Sequence, residues 1–163
     1  MTAPTQWPPK LVSSLRQNLD EYSEVVRNCV DADTLQHLTR LLVIRSSGFL
    51  EQSSFEIARG YIEHRSGGLV RTFSMSWLER TRNPSEANLA ELIGRFDANL
   101  QFEFDAFLHA NDDLLSRELH FLVDRRNRIA HGLSENLNRD KALTLKDVSV
   151  TIAEWFITHL EPK

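Results

Sequence analysis

Apolar residues recur at helical spacing along nearly the whole chain, three or four positions apart. The first such stretch predicts a helix from about Leu11 to Val30. Asp31 or Asp33 can then cap a second helix running from Thr34 to about His64. Its apolar stripe passes through Leu38, Leu41, Leu42, Phe49, Phe55, Ala58 and Ile62. Gly48 lies inside that helix and suggests close approach of a neighbour, since a mid-helix glycine costs about 1 kcal/mol against alanine. Ser66-Gly67-Gly68 ends it, and a shorter helix follows from about Leu69 to Glu79.

Asn83-Pro84-Ser85-Glu86 marks a break and a restart. The helix after Pro84 carries Leu89, Leu92, Ile93 and Phe96. Phe102, Phe104, Phe107 and Leu108 form an aromatic-rich segment whose strand-like alternation lasts only three residues, too few to outweigh its helical surroundings. Asp112 or Asp113 is the expected cap of the next helix. The last helix is expected from about Leu145 to Leu160, with Val148, Ile152, Trp155, Phe156 and Leu160 facing the core. The pattern predicts an all-α, up-and-down helical bundle with two long antiparallel helices and several shorter ones. Pro4, Pro8 and Pro9 set residues 1–10 apart as a non-helical arm, leaving 11–163 as a single helical domain.

At 163 residues the chain is long enough for a real core, burying roughly 70% of its extended surface. No apolar run approaches the roughly 20 residues that span a bilayer. The start, Met1-Thr2-Ala3-Pro4-Thr5, shows no cationic region followed by an apolar one. A lone cysteine, Cys29, excludes an internal disulfide and a cysteine-based zinc site, and its apolar neighbours suggest a small buried hydrophobe. The expected location is therefore the reducing cytoplasm. The net charge of -4 does not mark the whole chain as a nucleic-acid binder. Arginine, however, outnumbers lysine 15 to 4. A GC-rich genome gives such a bias, and so does a demand for bidentate phosphate contacts.

The chemistry concentrates in Arg125-Arg126-Asn127-Arg128-Ile129-Ala130-His131-Gly132. Arginine grips phosphate, and histidine moves a proton near neutral pH. Projected at 100° per residue, Leu115, Leu119, Leu122 and Ile129 define a buried arc, and Arg126 falls in its middle. A guanidinium there needs a partner or an opening, because burying an unpaired charge is costly. Glu51 on the second helix is one candidate partner; a cleft at that point is the alternative. The opposite face carries Arg117, His120, Asp124, Asn127, Arg128 and His131. Asp124 with Arg128, and Asn127 with His131, stand four apart, a spacing that also suits an ordinary solvated face. Gly132 is a natural helix terminator that would let His131 swing toward Arg126. On a straight helix those two lie about 140° apart, so Arg128 competes as the partner of His131.

His37, His64, His109 and His159 are dispersed and show no metal-binding spacing. No phosphate-binding loop, dinucleotide fingerprint, nucleophile elbow or EF-hand loop is present in the sequence, and neither a metal nor a cofactor is expected.

The run Arg126-Asn127-Arg128-Ile129-Ala130-His131 resembles the R-x4–6-H motif of HEPN-domain proteins, with the polar residue common after the arginine. Leu41 to Tyr61, containing Gly48-Phe49-Leu50-Glu51, and the later Asn83-Pro84 resemble the RiboL-PSP-HEPN subgroup (MAE_28990/MAE_18760-like). The resemblance spans roughly residues 34–160 and agrees with the all-α pattern. It implies a metal-independent, dimeric endoribonuclease of the toxin–antitoxin or anti-phage kind, with RNA, a second copy of the chain and an antitoxin protein as partners. Arg126 would then hold the scissile phosphate, and His131 would act as general base or acid. Asn127 would orient His131 or the phosphate. Arg128 and Arg125 would add phosphate affinity, and Glu51 would steady Arg126 from behind. A non-catalytic HEPN module that binds RNA, nucleotide or a partner protein is the competing reading. A plain helical interaction protein is the third.

Overall fold

The computed structural model describes residues 6–78, 80–133 and 136–163. The first half of the expected arm, with Pro4, and the expected helix end at Glu79 lie outside the described residues. Among those described there are seven helices and no strand, an all-α bundle as the periodicity predicts. They are α1 (Lys10–Asn28), α2 (Ala32–Arg65), α3 (Gly68–Ser76), α4 (Glu86–Gly94), α5 (Ala98–Leu108), α6 (Ala110–Ala130) and α7 (Arg139–His159).

The helix starts follow side-chain chemistry. Asp31 accepts a hydrogen bond from the Thr34 amide at 2.8 Å and opens α2. Ser85 accepts from Asn88, Asp97 from Asn99 and Leu100, and Asn138 from Lys141. Each oxygen satisfies an amide that has no partner within its own helix. The Asn138 cap starts α7 six residues before the expected Leu145. The polar run Arg139-Asp140-Lys141 had hidden that turn, although Ala142 in it is fully buried.

The long α2 forms the centre and packs against α1, α6 and α7. α1 and α2 are antiparallel. Tyr22 donates to the Leu38 carbonyl near their connection, and Pro9 meets Gly60 at the far end. A Cβ built on Gly60 would stand 2.8 Å from the Pro9 ring, so this glycine is what lets the arm seat. Gly48, by contrast, faces open space, with nothing within 4 Å of such a Cβ. The close approach expected at Gly48 therefore occurs three turns later. α7 runs parallel to α2: Arg139 at its start reaches the Cys29 carbonyl, and Arg65 at the end of α2 reaches that of Lys163. Trp7 Nε1 donates to the Ile157 carbonyl at 3.0 Å and fastens the arm against α7.

Three further expectations are corrected. Cys29 is half-buried at the end of α1 rather than in the core, because α1 stops at Asn28 and leaves Val30 in solvent. Leu41, placed on the apolar stripe of α2, is 40% exposed. Asp112 and Asp113 do not cap α6: with Asn111 they adopt left-handed backbone (φ 53 to 59°). Short polar side chains tolerate that conformation better than others do, and regular helix resumes beyond them.

The aromatic heart joins α5 to α7. Phe104 is fully buried, with ring centroids 4.8 Å from Trp155 and 5.5 Å from Phe156. Phe104→Ala is expected to cost about 3–5 kcal/mol, read as a lower urea midpoint at unchanged slope. A loss under about 1 kcal/mol would mean that α5 is not seated on this core.

Candidate active site at the end of α6

α6 ends in a glycine-dependent stop. His131 is its C-cap, and Gly132 turns into the left-handed region at φ +75°. The Gly132 amide donates to the Ile129 carbonyl and the Leu133 amide to that of Arg128, each at 3.0 Å. This pair of bonds is a Schellman motif, and it satisfies carbonyls the helix would otherwise leave bare. The helix therefore breaks where the His-Gly pair suggests. His131 is left exposed on the last half-turn, and among the described residues its side chain holds no hydrogen bond or ion pair.

The buried stripe of α6 also ends here. Leu119 and Leu122 are fully buried; Leu115 and Ile129 are half-buried. Leu122 and Ile129 pack with Val43, Leu137 and Leu145. Arg126, in line with them, is half-buried, and its Nη1 donates to Asn127 Oδ1 at 3.1 Å. No carboxylate among the described residues pairs with it. Glu51 does not fill that role: it lines a small hollow between α2 and the stretch before α4, with Arg82, Asn83 and Asn88. The Asn127 side chain is tied to Arg126, and Asn127 meets His131 only through its backbone carbonyl, which accepts from the His131 amide at 3.0 Å. The Arg125 guanidinium lies over the Phe121 ring at 4.6 Å, as does Lys141 Nζ at 4.5 Å, and Arg125 stands 4.0 Å from Asp124. Arg128 is exposed on the polar side. The fold thus joins Arg126 to Asn127, sets His131 one turn on, and leaves Glu51 elsewhere.

Two histidines that look unremarkable in sequence meet at the other end of α6. Glu86, in the first turn of α4, receives His109 Nε2 at 2.8 Å, the Ser116 hydroxyl at 2.5 Å and His120 Nε2 at 3.3 Å. The other nitrogen of His109 lies 2.8 Å from Asp113. The carboxylates of Asp113 and Glu86 raise the His109 pKa above its ordinary value. Burial pushes the Glu86 carboxyl up, but its bonds to Ser116 and His109 outweigh this and hold it below the usual range. No group of side chains among the described residues has the make-up of a metal site.

A family model described as RiboL-PSP-HEPN matches residues 10–161. The chain belongs to that family. No curated protein and no solved structure matches it. Membership in the RiboL-PSP-HEPN family suggests a ribonuclease or a nucleotide-binding module, and members of the family often act with RNA and form dimers. No helix among the described residues is long and apolar enough to cross a membrane.

The His109–Glu86–His120 cluster escaped sequence reasoning because its members lie 23 and 34 residues apart on three elements. Its only local signal is the i,i+4 spacing of His109 and Asp113, made close by the left-handed turn between them.

Gly132→Ala is expected to cost about 1–2 kcal/mol, since a Cβ is strained at that φ, with fraying of the last turn readable as faster amide exchange at His131 and Leu133. Unchanged exchange there would count against the glycine stop. The cluster should also make stability depend on pH. The raised His109 stabilises fully below its unfolded value near 6.5, and its contribution is lost as pH rises through the higher folded value. The lowered Glu86 stabilises above its unfolded value near 4.5, and its contribution is lost as pH falls through the lower folded one. Both act in full between those two values. Comparing the melting temperatures of wild type and His109→Gln across that range and into alkali should therefore show a gap that is widest in mild acid. A gap indifferent to pH would show that the contacts contribute nothing.

Proposed function

We propose that this protein is a metal-independent endoribonuclease in which Arg126 and His131 act on one phosphodiester. The observation that carries the reading is the state of Arg126. Its half-buried guanidinium is steadied by a neutral amide, Asn127, so its positive charge stays available to an anion. His131 stands exposed just beyond, on a turn that the Gly132 stop holds in place.

In this mechanism the 2′-oxygen attacks the adjacent phosphorus as a histidine removes its proton. The bond from phosphorus to the 5′-oxygen breaks, and that oxygen takes a proton from a histidinium. The products are a 2′,3′-cyclic phosphate and a 5′-hydroxyl. Arg126 binds the non-bridging oxygens and offsets the charge that grows on them. Arg128 and Arg125 extend the grip along the strand. Within one chain Arg126 and His131 are not bonded to each other, and one imidazole cannot easily serve as both base and acid. A two-fold pairing of α6 ends would supply two histidines and a shared cleft. A toxin or anti-phage role, held in check by an antitoxin protein, follows from such an activity.

Labelled RNA incubated with the protein in EDTA should be cut to cyclic-phosphate ends, while the matching DNA stays intact. Arg126→Ala and His131→Ala should each slow cleavage by a hundredfold or more. Cutting that survives both changes would remove these residues from the mechanism, and a requirement for metal would remove the mechanism. Full activity from a dilute monomer would sink the shared cleft.

A further inference from the structure

The far end of α2 carries a second surface with the chemistry of a nucleotide. Two hollows of about 440 Å³ each adjoin there. The first is lined by Phe73, Ser76, Trp77, Arg80, Arg82 and Arg95, three guanidiniums with no carboxylate among the described lining residues. The second shares Phe73, Trp77 and Arg95 and adds the rings of Tyr61 and Phe96. Both volumes lie within the range of small-ligand sites.

The arginines are organised. Arg95 donates to the Trp77 carbonyl at 2.9 Å, and its guanidinium lies 5.9 Å from the Trp77 ring. Arg82 and Arg95 both reach Glu91, at 2.9 and 2.6 Å. No ion pair among the described residues holds Arg80. The same three arginines also line the small hollow that holds Glu51 and Glu91, so among the described residues three cations stand beside two carboxylates, on a chain whose net charge is -4. The aromatics are poised but uncovered. α3 buries none of its residues, and Phe73 and Trp77 are 67% and 60% exposed with their rings 6.2 Å apart. A flat ring with an anionic group one step away is the ligand that uses both halves. A base stacks on exposed aromatic faces whatever its identity, and guanidiniums grip the phosphate beside it.

We propose that these hollows bind one nucleotide of a single-stranded RNA, its base against Phe73 and Trp77 and its phosphate on Arg80, Arg82 and Arg95. The identity of the polymer rests on the ribonuclease reading. Ile62 beside this surface and Val43 beside the end of α6 stand roughly 30 Å apart along α2, at 1.5 Å per residue. A strand of twelve nucleotides spans about 40 Å even when stacked, so one strand reaches both places. The hollows would hold RNA at a distance from where it is cut.

The test is fluorescence anisotropy of a labelled, uncleavable twelve-nucleotide 2′-O-methyl RNA with the full chain. Trp77→Ala and the double variant Arg80→Ala/Arg82→Ala should each weaken binding about tenfold, and the double variant should flatten the salt dependence by roughly one to two phosphate contacts. These side chains are exposed, and unchanged melting temperatures would confirm intact folding. Wild-type affinity in both variants, or no binding by the wild type, overturns the proposal. So does a Trp77→Ala variant that binds RNA normally but loses dimers in light scattering, which would make α3 a protein contact. The two readings fail separately. If the wild type binds RNA through these residues yet cuts none, the ribonuclease reading falls and the hollows stand. If cleavage depends on His131 while the hollow variants bind as wild type does, the reverse holds.

Discussion

Burial of α2 on three sides is the constraint that the remaining structure obeys. Its middle carries Leu42, Val43, Leu50, Ile57 and Ala58, all fully buried beneath α1, α6 and α7. Serines share that surface. Ser46 and Ser54 return their hydroxyls to the carbonyls of Leu42 and Glu51, which satisfies those two polar atoms within the helix. A helix so enclosed cannot shift along its axis without breaking several seams at once. It fixes the level at which α6 ends at one extremity and at which α3 and α4 turn back at the other.

Arg126 shows what that enclosure leaves open. The apolar stripe of α6 is sealed at Leu119 and Leu122 and thins toward Ile129, where half-burial replaces full burial. A guanidinium in a sealed stretch would need a carboxylate to offset the cost of desolvation. Near the end of the stripe it keeps contact with water, and an amide suffices to orient it. Arg16, Arg59, Arg82 and Arg95 all have carboxylate partners on the surface. The contrast separates arginines that balance the acidic body from Arg126, which pairs with no carboxylate among the described residues.

Much of this was legible from residues close together in the chain. The 3.6-residue period exposes the helices, Asp31 or Asp33 the start of α2, and the His-Gly pair the stop at Gly132, because each depends on contacts within a turn or two. The same locality explains the errors. Gly48 and Gly60 are equally plausible sites of close approach until the path of the arm is known, and Pro9 decides between them. Glu51 and Arg126 both belong to helices of the core, which by sequence alone makes them candidate partners. Which turns of two packed helices lie level is set by every contact along their seam, and no local pattern encodes it.

Helix content, the Arg-Asn-His run and its terminating glycine thus belong to the linear order, since short-range backbone and capping energies govern them. Packing settled the rest: the release of Glu51 from Arg126, the meeting of His109 and His120 on Glu86, and the gathering of Arg80, Arg82 and Arg95 around Trp77. Charge acts through space and falls off with distance in three dimensions, so residues far apart in sequence acquire shared chemistry only once apolar burial has fixed where each helix lies.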